Sequence, residues 1–270
     1  MIKEIMNNKL LVFSGAIIVL MAFVAVFAPY LAPHDPNLTN LAVRLQGPSK
    51  DFLLGTDHQG RDILSRLIYG ARVSIGSSVL VVAVTMVISI VIGTISGYKG
   101  GRIDYFFMRF CDIIMAFPGL VLILAFVGIM GPGLFNLILS IILIQWVTYA
   151  RIIRGMVLSY KEQNFVTAAK MLGSSNVKII TRHLLPGIIP QIIVLATLDI
   201  GTVLLHIAGF SFLGLGIQPP TAEWGAMLND SRQFLRSHPS LMIYPGMMIF
   251  IVVMAFNLFG DKLRDIFDRK

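Results

Sequence analysis

The sequence predicts an all-α integral membrane protein, and three observations predict it. Hydrophobic residues make up 56% of the chain against 13% charged, and the mean hydropathy of +0.80 exceeds what a soluble core of this size requires. Six apolar runs, at about 10–31, 73–97, 105–130, 134–150, 187–209 and 241–260, approach the roughly 17 to 25 residues that a hydrocarbon layer of about 30 Å asks of a helix. None alternates with the period of two of a membrane barrel, and spanning backbone must satisfy its own hydrogen bonds, so the runs are helices. No linker rich in Pro, Gly or Ser and no internal repeat divides the chain, so residues 1–270 are expected to form one membrane domain.

The first run follows Lys3 and Lys9 as a secretory signal would, but it is too long for an ordinary apolar signal core, and Ala25-Val-Phe-Ala28 followed by Pro29 makes a poor cleavage site. It is expected to be a retained anchor. An excursion at about 32–72 comes next. Near its end Ile63, Leu64, Leu67 and Ile68 recur at helical spacing opposite Asp62 and Arg66, which suits a helix lying along the membrane surface or over a pore mouth. In the second run Gly93 and Gly97 stand four apart and permit close approach of a neighbouring helix.

Pro118 lacks a backbone donor and predicts a kink in the third run. Arg109 and Asp112, three apart on that helix, are expected to neutralise one another. The lone cysteine, Cys111, can make no internal disulfide.

Between the fourth and fifth runs lies a polar, basic stretch at about 151–186. Within it Phe165, Ala168, Ala169 and Leu172 recur at helical spacing, the small alanines would let a short helix lie close in a groove of another protein, and Gly173 can end that helix. A Leu-Pro exit at Pro186 leads back into apolar sequence. The fifth run carries Asp199 and His206, seven residues apart and so on one helix face. An ionisable group at membrane depth faces a bundle interior or a wet cavity by default, which makes Asp199 a pathway candidate. Imidazole and carboxylate suit a divalent metal, and a route needs transient ligands rather than a closed cage. Packing roles stay open for both: His206 hydrogen-bonding a neighbouring helix, Asp199 pairing with a partner subunit.

The second excursion, about 210–240, contains glycines and Pro219-Pro220, which forbid a continuing helix. Two roles fit it equally, a substrate entrance and a plug that packs helices together. His34, His58 and His238 also fall in the two excursions.

Lysine and arginine placement sets the orientation. With the N-terminus inside, the inner segments hold Lys3, Lys9, Lys99, Arg102, Arg151, Arg154, Lys161, Lys170, Lys178, Arg182, Lys262, Arg264, Arg269 and Lys270. The outer set, Arg44, Lys50, Arg61, Arg66, Arg72, Arg232 and Arg236, is half as large. Both termini are therefore expected in the cytoplasm. The net charge of +8 is spread over membrane-flanking loops with no aromatic-interleaved stripe, so no nucleic-acid partner is expected; the surroundings are lipid. No phosphate-cradling Gly-x-x-x-x-Gly-Lys-Ser/Thr, zincin motif or paired-cysteine spacing occurs, so no catalytic residue is assigned and the chain cannot hydrolyse ATP alone.

Asn164-Phe-Val-Thr-Ala-Ala-Lys-Met-Leu-Gly173, running on to His183-Leu-Leu-Pro186, resembles the coupling loop of permease subunits in ATP-driven (ABC) importers, departing from it at Thr167 and His183. Leu54-Gly-Thr-Asp-His-Gln-Gly-Arg-Asp62, Ser211-Phe-Leu-Gly-Leu-Gly216, Thr221-Ala-Glu-Trp-Gly225 and Asn257-Leu-Phe-Gly-Asp-Lys-Leu-Arg-Asp265 extend the likeness over nearly the whole chain, to the dipeptide/oligopeptide/nickel permease family. The resemblance implies a six-span subunit of a prokaryotic cytoplasmic membrane that pairs with a second homologous permease. It further implies two cytoplasmic ATPase subunits, which carry the ATP and Mg, and an extracytoplasmic binding protein that delivers cargo. Val194-Leu-Ala-Thr-Leu-Asp-Ile-Gly201 and Leu205-His-Ile-Ala-Gly209 are similar to the nickel-importing members, making nickel, free or chelated, the expected cargo and di- or oligopeptides the alternative. An intramembrane enzyme using Asp199 and His206 is the rival from another class; an ion-motive carrier would be expected to show inverted repeats.

Overall fold

In the computed structural model, which describes residues 8–268, every named element is helical, and among the described residues the β-type pairing is confined to an isolated bridge between Thr56 and Asp62. Lys3, Arg269 and Lys270, counted above toward orientation, lie outside the described residues. The order is α1 (Lys9–Val26), a one-turn α2 (Ala28–Leu31), α3 (Ile63–Lys99), α4 (Gly101–Met115), α5 (Gly119–Met130), α6 (Leu134–Lys161) and α7 (Asn164–Met171). A one-turn α8 (Asn176–Ile179) then continues through a π turn (Ile180–Leu184) into α9 (Leu185–Phe212), followed by α10 (Trp224–Ser231) and α11 (Ser240–Asp268). Among the described residues five helices are long and apolar enough to cross a membrane: α1, α3, α6, the unit from α8 through α9, and α11. The pair α4 and α5, bent by 84°, makes the sixth.

That bend is where Pro118 predicted a kink. Pro118 is the extended N-cap of α5, and its carbonyl accepts from the Val121 and Leu122 amides, so the third run is two short helices rather than one bent rod. Asp112 pairs with Arg151 of α6, not with Arg109 as its spacing suggested. The correction follows from packing: the partner that Asp112 meets is on the neighbouring helix, while Arg109 stays exposed. Cys111 is fully buried and unpaired.

A second correction concerns 63–68. Ile63 does not belong to a separate surface helix; it opens α3, which runs unbroken for 37 residues, about 55 Å at 1.5 Å per residue. Asp62 starts it, its Oδ2 accepting from the Ser65 amide at 2.9 Å and the Ser65 hydroxyl at 2.6 Å. Arg66, expected on a polar face, is buried because acidic partners surround it.

The close approach expected at Gly93 and Gly97 is present. A Cβ on Gly93 would sit 2.6 Å from the Ala150 carbonyl oxygen of α6, and one on Gly97 would sit 3.0 Å from that of Arg154. Beside them the Ser89 hydroxyl donates to Thr85 O at 2.7 Å and lies 3.0 Å from Trp146 O across the gap. Residue 93 meets 150 and 97 meets 154, so α3 and α6 run parallel. Parallel neighbours oblige the chain between them to return the height of the bundle, and α4 with α5 makes that return. Helix α9 is antiparallel to α6, with Asp199 beside Gln145 and Gly187 against Tyr160. Helix α11 is antiparallel to α9, with Gly260 against Leu198, and α1 is antiparallel to α11, with Gly15 against Phe259. The start of α1, the end of α11 and the loop between α6 and α9 therefore share one end of the bundle. Loop 32–62 and α10 share the other.

The second excursion packs its latter half as a plug. Glu223 is fully buried and accepts from the Gly225 amide at 2.9 Å, the Ala226 amide at 2.8 Å and the Ser74 hydroxyl of α3 at 3.0 Å. Trp224 donates its indole N–H to Leu67 O at 3.1 Å. Burial pushes the Glu223 carboxyl above its ordinary pKa, with the two amides and the serine hydroxyls pulling it back down.

The contact at Gly93 yields a contrast. Gly93→Ala drives a methyl into the α6 backbone and is expected to cost about 1–3 kcal/mol as overpacking. Gly76→Ala on the same helix, where nothing lies within 4 Å, should be neutral or stabilising by about 0.5–1 kcal/mol. Thermal unfolding of the purified protein in detergent checks both; equal midpoints for the two variants would contradict the packing described.

Candidate functional site

The polar loop folds as the spacing predicted, into a short helix ended by glycine. Gly173 has φ +74°, its amide donates to Lys170 O and that of Ser174 donates to Ala169 O, the paired bonds that close a helix through a left-handed residue. Val166 and Ala169 are buried against the bundle, joined in one apolar cluster with Ile179, Leu184 and Ile188. Phe165, Ala168 and Leu172 face outward, with Leu172 86% and Met171 83% exposed, and Val177 extends this apolar surface. The predicted set is thus divided: Ala169 anchors α7, and the other three helix positions present it. Pro186 lies in the first turn of α9, directly after the π turn.

Side-chain ties fasten this end of the bundle. Arg154 of α6 donates from Nε and Nη2 to the two oxygens of Asp104 of α4, each at 2.5 Å, and the Ser96 hydroxyl of α3 joins the same carboxylate. Lys161 Nζ donates to Tyr98 O at 2.8 Å. The Tyr98 hydroxyl donates to Asn176 Oδ1 at 2.8 Å, and the ammonium groups of Lys161 and Lys170 lie 5.9 and 5.7 Å from its ring centroid.

Midway along α9, Asp199 is 4% exposed. Its Oδ1 accepts from Gln145 Nε2 of α6 at 3.0 Å, while its Oδ2 and Gln145 Oε1 are buried without a hydrogen-bond partner. Tyr149, one turn further along α6, faces the same carboxylate. His206 is half-buried with Nδ1 likewise unpartnered. Seven residues separate the two, about 10 Å along the helix, so they do not touch. Among the described residues no group of three or more His, Cys, Asp or Glu side chains could hold a metal ion. Toward the loop end a half-open cavity of about 290 Å³ is lined by Met156, Gln191, Leu195, Leu198, Arg264 and Phe267.

At the opposite end the motif from Leu54 to Asp62 builds a charge cluster. Arg61 and Arg66 are 1% and 2% exposed. Arg61 donates to Asp57 at 2.6 Å and to Asp230 at 3.1 Å, and Arg66 lies 3.6 and 3.8 Å from the same two carboxylates. Arg66 also donates to the Pro36 and Pro220 carbonyls, so both excursions are joined by four opposed charges. Of the excursion histidines, His34 lies 3.5 Å from Asp62, His58 stacks on Phe234 with burial holding its pKa below the ordinary value, and His238 sits 3.1 Å from the Ser237 hydroxyl.

Tyr98, Gln145 and the Arg61–Arg66 pair are the residues that sequence reasoning missed. Tyr98 and Gln145 lie within or beside apolar runs where any polar side chain is a signal. Arg61 entered only within the Leu54–Asp62 likeness and Arg66 only as a polar-face residue, since sequence alone does not distinguish a buried arginine from a solvated one.

Two family descriptions match the chain: binding-protein-dependent transport system inner membrane component over residues 89–270, and the N-terminal TM domain of oligopeptide transport permease C over residues 1–48. The chain is 46% identical over 252 residues to the nickel transport system permease protein NikC of Escherichia coli (strain K12), covering 93% of this chain and 91% of that protein. It is 42% identical over 268 residues to the dipeptide transport system permease protein DppC of Alkalihalophilus pseudofirmus, covering 99% and 88%. Among solved structures, the MetNI methionine ABC transporter in inward-facing conformations shares the fold, with a TM-score of 0.56 at 17% identity over 76% of this chain and 97% of that one. With relatives above 40% identical along nearly its whole length, this chain belongs to the binding-protein-dependent transport system inner membrane components, the multi-pass permease subunits of bacterial ABC importers.

Proposed function

We propose that this permease carries nickel, free or chelated, and takes its energy from two ATPase subunits that engage α7. Its other partners are a second homologous permease, with which it encloses the path, and a binding protein that supplies cargo at the end formed by loop 32–62 and α10. The end holding Lys99, Arg102, Arg154, Lys161, Lys170, Lys178 and Arg182 is the cytoplasmic one, by the bias of basic residues toward that side. ATP and Mg belong to the ATPases, since this chain lacks a phosphate-binding loop.

One observation carries the coupling assignment: α7 holds itself with Val166 and Ala169 and turns Phe165, Ala168, Met171 and Leu172 outward at the polar end of the bundle. A short helix with an apolar free face and a rim of lysines and arginines suits a groove in another protein. Nickel is supported by the 46% identity to a nickel transport permease and by the Asp199 carboxylate and the unpartnered His206 Nδ1, a hard and a borderline donor two turns apart. Dipeptide transport is the second possibility, favoured by the 42% identity to a dipeptide permease and, among the described residues, by the lack of a third ligand near either residue.

Coupling is tested in proteoliposomes holding this chain, its second permease, the ATPases and the binding protein. Ala168→Trp alters the exposed face without touching internal packing and should reduce binding-protein-stimulated ATP hydrolysis at least tenfold while the complex still assembles. An unchanged rate would refute engagement of α7.

Cargo is tested by uptake of labelled nickel chloride beside dipeptide-dependent growth in a strain lacking this chain. Asp199→Asn and His206→Ala should each lower nickel uptake about tenfold with membrane abundance unchanged. Undiminished nickel uptake in the deletion strain, with dipeptide growth abolished, would reassign the cargo to peptides. Loss of abundance in the variants would show that both residues serve packing.

A further inference from the structure

We propose that Tyr98 is the positioning residue through which movement of the loop between α6 and α9 enters α3, and hence reaches the far end of the subunit. The proposal rests on the assignment of α7 as the coupling helix. Tyr98 is the penultimate residue of α3 and is buried. Its contacts fall on three successive pieces of the loop: Lys161 at the end of α6, Lys170 at the end of α7 and Asn176 at the start of α8. The ring lies against both ammonium groups, the hydroxyl donates to the asparagine, and the backbone carbonyl accepts from Lys161. Cation to ring-face attraction tolerates sliding and tilting, whereas the hydroxyl bond to Asn176 fixes direction.

Helix α3 is suited to carry what Tyr98 receives. It is unbroken for 37 residues and contains no proline, so one continuous hydrogen-bonded helix leads from Lys99 to the residue beside Asp62. At that far end Arg66 is held by Asp57, Asp230 and the Pro36 and Pro220 carbonyls, so both excursions are fastened to the same rod. The bidentate Arg154–Asp104 pair ties α4 to α6 but touches no residue of α7 or α8, which leaves Tyr98 as a polar bridge from the loop to α3.

The test compares Tyr98→Leu, Tyr98→Phe and Asn176→Ala in the full complex reconstituted in proteoliposomes with its binding protein. The readout is cargo taken up per ATP hydrolysed, with labelled nickel chloride in one arm and labelled alanyl-alanine in the other. A residue that only stabilises the fold changes the amount of active complex but leaves that ratio alone. Tyr98→Leu, which removes ring and hydroxyl, should lower the ratio at least tenfold. Tyr98→Phe and Asn176→Ala, which remove the same hydrogen bond from its two sides, should lower it by equal amounts, about threefold. A wild-type ratio in Tyr98→Leu overturns the proposal. Should that variant fail to assemble, wild-type ratios in both Tyr98→Phe and Asn176→Ala overturn it. Ala168→Trp serves as the control: if it abolishes stimulation while all three variants keep the wild-type ratio, Tyr98 alone is misassigned. If Ala168→Trp changes nothing, the coupling assignment falls and the proposal with it.

Discussion

The parallel seam between α3 and α6 is the constraint on which the rest of this subunit depends. Without glycine at 93 and 97 the two backbones could not approach, since a single added carbon would lie 2.6 Å from a carbonyl oxygen. In lipid no hydrophobic force drives helices together, so close packing and the cross-helix contact of Ser89 with Trp146 O supply the cohesion. Because the seam is parallel, it also dictates topology. A returning segment must lie between the two helices, and the bent pair α4 and α5 fills that role while leaving Asp104 and Asp112 where Arg154 and Arg151 can meet them.

Charge is treated differently at the three levels of the bundle. At the excursion end two buried arginines meet the buried Asp57 and the half-buried Asp230, an arrangement that is costly to break once formed. At the loop end the ion pairs are partly exposed and bind helix to helix. Between them Asp199 is buried with the Gln145 amide donating to it and the Tyr149 hydroxyl facing it, in surroundings where a polar group needs its partners. Glu223 is likewise buried without a cation, but two backbone amides and a serine hydroxyl hold it in a loop, whereas Asp199 sits within an apolar spanning helix.

Much of this was legible beforehand, and the failures have physical causes. All six runs were visible because lipid permits only one kind of spanning segment in a chain without alternation. Gly173 announced the end of α7, and Pro118 announced the break between α4 and α5. The start of α3 was placed about ten residues late because Arg66 and Arg72 read as solvent-facing, and only the folded loop supplies the aspartates that let Arg66 be buried. Arg109 was matched to Asp112 because spacing within a helix can be read from sequence, whereas the presence of Arg151 on another helix cannot. The apolar positions of α7 were found but not sorted. Val166 and Phe165 are equally greasy, and sequence does not say which of them the bundle claims.

The outward face of α7 has a consequence for the life of the polypeptide before it joins anything. Met171, Leu172 and Val177 form a greasy knob on the polar end of a membrane protein, a place where such side chains usually invite aggregation. Left uncovered, these side chains keep apolar area in water, and burial of that area is the free energy that a docking protein would gain here.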